Sequence, residues 1–140
     1  MDGPVGPPRR ADGDQLVAWA TTAARAAATK TDAETLVLDV GDVLAITSYF
    51  VITGGRNARQ VKAVAEEVEE QVARSGGPRP IRVEGLDTLQ WVLLDYGDFV
   101  VHVFVDETRR YYELERLWSD VPRIDWEGGE DVAAGGAVAP

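Results

Sequence analysis

Apolar positions recur along this chain at two periods, and each change of period marks an element. Over residues 14–29, Leu16, Ala20, Ala23, Ala24 and Ala27 follow helical spacing, and their small size predicts close packing against a sheet. Asp12, with Gln15 three positions later, resembles a capping box at the start of this helix. Residues 34–40 and 49–53 are short, β-rich apolar runs without alternation, as expected of strands covered on both faces. Gly54-Gly55 should then break the chain. The clearest helix follows, with Asn57 as cap, Gln60 as its capping-box partner, and a stripe of Val61, Val64, Ala65, Val68 and Val72. Ser75-Gly76-Gly77-Pro78 ends it, and a strand over residues 81–84 comes next.

Residues 91–104 read as a β-hairpin around a Gly97-Asp98 turn. That turn pairs Tyr96 with Phe99, Leu94 with Val101 and Val92 with Val103, which puts six side chains on one apolar face. The opposite face sets Trp91 against Phe104, Leu93 against His102 and Asp95 against Val100. It is mixed, so it should be only partly covered and wettest near Asp95. A last helix is predicted over residues 108–118, with Tyr111, Leu114, Leu117 and Trp118 on its apolar side and Val121-Pro122 ending it. These elements predict an α+β fold, a mixed five-stranded sheet packed by about three helices. Residues 1–13 and 127–140, rich in Pro, Gly and Ala, are expected to be disordered arms around one domain over residues 14–126.

Composition narrows the chemistry. The chain has 140 residues, no cysteine, one histidine and a formal net charge of −10. Disulfides, thiol nucleophiles and cysteine zinc sites are excluded. No apolar run approaches a membrane helix and the N-terminus lacks the order of a signal peptide, so a cytoplasmic protein without membrane attachment is expected. The acidic balance repels nucleic acid at long range and suits a basic protein partner.

Each catalytic pattern fails on a particular residue. His102 is the sole imidazole and lies in mid-strand, so no metal set or nucleophile–base pair forms around it. Gly54-Gly55-Arg56-Asn57 could expose amides to phosphate, but it lacks the P-loop lysine and hydroxyl, and a simple helix cap is the favoured reading. Asp39 and Asp42 are three apart, as are Asp95 and Asp98, whereas two strand ligands for one metal want spacing two. No enzyme activity and no cofactor are therefore expected. Arg56, Arg59 and Lys62 form a basic cluster without interleaved aromatics, which allows incidental RNA contact. What stands out is an acidic and aromatic set: Trp91, Asp95, Tyr96 and Asp98, with Glu84 nearby. Trp and Tyr bury large area with few rotors, and acids beside them steer basic partners. The pattern leaves open whether Trp91 and Tyr96 belong to the core or to a contact surface.

These residues also carry a resemblance. Leu38-Asp39-Val40, Tyr49-Phe50-Val51-Ile52, Arg59-Gln60-Val61-Lys62-Ala63, Glu84-Gly85, residues 91–98, residues 100–104 and residues 112–118 occur in an order and spacing similar to those of the ribosomal silencing factor, or Iojap-like, family. Gly41 replaces a common serine, Ser48 replaces a usual aspartate, and Gly54-Gly55-Arg56 lacks the typical hydroxyls. The resemblance implies a nucleotidyltransferase-like topology without its active site. It further implies a translation repressor that binds protein fourteen of the large ribosomal subunit, blocks small-subunit joining when nutrients are scarce, and forms a homodimer when free. Glu84, Trp91, Asp95, Tyr96 and Asp98 would be the partner-binding residues. The alternatives are a nucleotidyltransferase-like enzyme and a large-subunit assembly factor.

Overall fold

The computed structural model describes residues 13–128. The expected cap at Asp12 and nearly all of both expected arms lie outside them. Helix α1 (Gly13–Ala28) leads into strands β1 (Leu36–Asp39) and β2 (Tyr49–Gly55), then helix α2 (Ala58–Arg74). Strands β3 (Arg82–Glu84), β4 (Trp91–Asp95) and β5 (Phe99–Val105) follow, then short helices α3 (Asp106–Tyr112) and α4 (Leu114–Leu117) and strand β6 (Arg123–Ile124). Among these residues no helix is long and apolar enough to cross a membrane.

The sheet has six strands in the order β3-β4-β5-β2-β1-β6, not the expected five. β2 and β5 pair in parallel, and every other pair is antiparallel. The sixth strand is two residues long and is created by its pairing with Val37 and Leu38. Nothing periodic in Arg123-Ile124 announces it.

The two faces of the sheet differ. On one, the alanines of α1 and the valine stripe of α2 pack against Val37, Val51, Val92, Leu94, Val101 and Val103. Asn57 Oδ1 accepts from the Gln60 amide at 2.9 Å, and Gln60 Oε1 accepts from the Arg56 amide at 2.7 Å, so the cap and its partner tie down the start of α2. On the other face, Leu36, Leu38, Phe50, Ile52 and Phe104 form a second cluster. Among the described residues Leu44, Leu114, Trp118 and Val121, from α4 and the loops, pack over it.

Two local readings are corrected. Gly54-Gly55 does not break the chain but completes β2 beside Phe104 and Val105. A Cβ on Gly54 would stand 2.7 Å from the Phe104 carbonyl oxygen, so glycine there serves close strand approach. The single helix over residues 108–118 is in fact two, broken at Glu113, whose φ of 49° is left-handed. The break lets Glu115 fold back onto Arg109, Oε2 to Nε at 3.1 Å, while Arg109 also donates to the Glu34 carbonyl at 2.7 Å. Leu114 and Trp118 then face the sheet, but Tyr111 and Leu117, expected on the apolar side, are 81% and 76% exposed.

Candidate functional site

The β4–β5 hairpin has the register its turn demands. Trp91 opposes Phe104, Leu93 opposes His102 and Asp95 opposes Val100. The Tyr96 amide donates to the Phe99 carbonyl at 2.9 Å across the turn, with Gly97 at a φ of 87°. β3 adds Arg82 opposite Asp95 and Glu84 opposite Leu93. Residues directly opposite share a face, so Arg82, Glu84, Trp91, Leu93, Asp95, Val100 and His102 all lie on the side without long helices. Trp91, Leu93, Asp95 and Val100 are half-buried there and Glu84 is exposed.

The site residues expected from sequence separate on this geometry. Trp91 packs its ring against Phe104 at 4.7 Å and Tyr112 at 5.1 Å between centroids, and its indole N–H donates to His102 Nδ1 at 3.1 Å. Asp95 shapes the turn, since its Oδ1 accepts from the Gly97 amide at 2.8 Å. Asp98 is half-buried, and its carbonyl accepts from the Ser48 amide at 2.8 Å, which ties the turn to the β1–β2 loop. Tyr96 does not belong with them. It is 5% exposed, lies on the helix-covered face and stacks on Phe99 at 4.5 Å. Burial pushes its hydroxyl well above the ordinary tyrosine value, with Glu69 adding to the effect. Tyr96 is corrected from a contact residue to a core residue.

Three features escaped the sequence reading. Arg82 lies on the acidic rim itself, 3.3 Å from both Asp95 Oδ2 and Glu84 Oε2, so the acids already hold a cation of their own. Pairing residues 81–84 with β4 would have revealed it. Tyr111 and Tyr112 extend the aromatic surface from α3, their rings 5.0 Å apart. Val43 and Ile46 are exposed on the loop whose Leu44 packs into the second cluster. Of these, only Tyr111 had a signal in local periodicity, and it pointed to the apolar side of the last helix.

The chemistry of this face is that of contact. His102 is buried, and among the described residues its Nε2 has no partner. Burial lowers its pKa to about 4, so the ring is neutral at pH 7. Among the described residues no three histidine, aspartate or glutamate side chains converge as metal ligands would. A half-covered apolar sheet, an aromatic wall and a charged rim can bury area against a partner and orient it.

Comparison with known proteins gives this face a context. Ribosomal silencing factor RsfS of Bacillus subtilis (strain 168) is 41% identical over 107 residues, spanning 76% of this chain and 90% of its own. Mitochondrial assembly of ribosomal large subunit protein 1 of Mus musculus is 32% identical over 85 residues, 59% of this chain and 37% of its own. A crystal structure of a Chromobacterium violaceum protein superposes with a TM-score of 0.67 at 30% identity, covering 74% of this chain and 86% of that one. With residues 14–138 matching the family model described as ribosomal silencing factor during starvation, the chain belongs to that family.

Proposed function

We propose that this protein binds the large ribosomal subunit at protein fourteen and blocks joining of the small subunit, repressing translation in the cytoplasm when nutrients are limiting. The observation that carries the reading is the uneven cover of the sheet. Long helices seal one face, while the other leaves Trp91, Leu93 and Val100 half-buried between an aromatic wall and the Glu84 and Asp95 rim, with half-buried Asp98 in the adjoining turn. The names of the relatives supply the ribosome. Such a repressor needs occupancy and no turnover. Free at 100 times its dissociation constant, it disfavours a mutually exclusive event by about 2.7 kcal/mol, a factor of roughly a hundred. Homodimerisation of the free protein is part of the same proposal, because exposed Tyr111, Tyr112 and Leu117 leave apolar surface for a second copy to cover.

The test is co-sedimentation with purified subunits. The protein should pellet with large subunits and not with small ones. Trp91→Ala should weaken this by about thirtyfold or more, as loss of a central aromatic anchor does. Asp95→Asn keeps the acceptor for the Gly97 amide and removes the charge together with the Arg82 ion pair, so it tests the rim while sparing the turn. A folded Trp91→Ala variant with unchanged affinity would contradict the assignment of this face.

A second reading, a large-subunit assembly factor, is favoured by the name of the mouse relative and by exposed Arg56, Arg59 and Lys62 after β2. It requires steeply salt-dependent binding to naked ribosomal RNA.

A further inference from the structure

We propose that His102 is a positioning residue for the docking face: its Nδ1 holds the indole N–H of Trp91, so Trp91 meets a partner as an apolar ring and not as a hydrogen-bond donor. The inference rests on the reading that Trp91 docks.

The two side chains come from adjacent strands. Leu93, not Trp91, lies opposite His102, so the indole reaches His102 diagonally. The contact is 3.1 Å from Nε1 to Nδ1. An indole can only donate, so Nδ1 must carry a bare lone pair and the imidazole proton must sit on Nε2. Among the described residues Trp91 is the partner that sets this tautomer, because Nε2 is buried and meets none of the others. Packing holds the imidazole still, with Phe50 edge-on at 4.7 Å and Phe104 stacked at 6.2 Å.

Trp91 itself is clasped by Phe104 and Tyr112, and the bond to His102 adds a directional restraint on which edge of the indole faces inward. The tryptophan χ2 torsion is broad and roughly two-fold, so a flip would turn the N–H toward the open face. The bond to His102 selects one state. With its only polar atom occupied, the accessible part of the ring offers π surface and C–H. It suits the aliphatic stem or charged head of a basic side chain, which the Glu84 and Asp95 rim would also attract. It does not suit an acceptor aimed at an indole N–H.

The chain has a single histidine, so the ring nitrogens can be read without ambiguity in the labelled full-length protein. The expected nitrogen-15 spectrum at pH 7 is that of an Nε2-protonated ring, and the Trp91 indole proton, assigned with Trp91→Phe, should exchange slowly. His102→Phe keeps an aromatic ring in the core and removes the acceptor. Indole exchange should become at least about tenfold faster and large-subunit affinity should fall about tenfold, the effect of one net hydrogen bond. His102→Asn, with an oxygen near the former Nδ1, should restore part of both. A ring protonated at Nδ1, or unchanged indole exchange in folded His102→Phe, overturns the proposal. If Trp91→Ala lowers affinity and His102→Phe does not, the positioning role fails; if neither does, the docking reading itself has failed.

Discussion

Between pH 7 and pH 4 the unfolded chain takes up a proton on His102 that the folded chain refuses. The ordinary value is 6.5, and burial lowers it to about 4 in the fold. Across that window the unfolded state binds more protons, so stability falls as pH falls. The contribution is fully present above about pH 6.5, declines toward pH 4 and is then constant. A displacement of this size corresponds to roughly 3 kcal/mol, a large share of the 5–15 kcal/mol typical of a domain. Glu69 works in the opposite direction. Burial raises its pKa, with Glu66 adding to the effect, so its contribution is present in acid and lost as pH rises through the raised value. The difference between wild type and His102→Phe isolates the histidine. Urea unfolding followed by far-UV circular dichroism at pH 7, 6, 5 and 4 should show wild type losing roughly 3 kcal/mol relative to the variant, or roughly 1–3 M in relative midpoint. Parallel pH profiles for the two proteins would refute the buried, neutral imidazole.

Two further substitutions test the packing that supports the face. Gly54→Ala forces a methyl against the Phe104 carbonyl and the Arg109 stem, so thermal unfolding should show a loss of about 1–3 kcal/mol; unchanged stability would deny the close strand approach. Thr35 and Thr53 share a buried hydroxyl–hydroxyl bond of 2.8 Å, so Thr35→Val should cost about 1–3 kcal/mol in chemical denaturation by stranding Thr53. Thr35→Val with Thr53→Val should recover most of that loss, and a purely additive double variant would contradict the pairing.

Where side-chain period and turn chemistry agree, the fold was legible before any coordinates. Residues 91–104 fold back around Gly97-Asp98, five of the six predicted pairs lie in the β4–β5 ladder, and Tyr96 bonds to Phe99 across the turn. The α2 stripe of Val61, Val64, Ala65, Val68 and Val72 is buried throughout. What could not be read depends on contacts distant in sequence. β6 exists only through β1, the strand role of Gly54 depends on Phe104, and the turn at Glu113 accompanies the Arg109–Glu115 pair. The candidate site divides in the same way. Pairing put Tyr96 and Trp91 on opposite faces, but how deeply each is covered depends on α2 and α3. α2 closes over Tyr96, whereas the turn at Glu113 leaves Trp91 beside an open aromatic wall. Arg82 on the acidic rim required a register for β3 that three residues do not announce.

Order of addition in a subunit-joining assay tests steric exclusion at the large subunit. Purified protein is mixed with large subunits either before or after small subunits, and joined ribosomes are followed by light scattering. Joining should fall in proportion to occupancy when the protein is added first, preformed ribosomes should resist it, and Trp91→Ala should relieve the block. Joining at the normal rate on large subunits saturated with the protein would contradict steric exclusion.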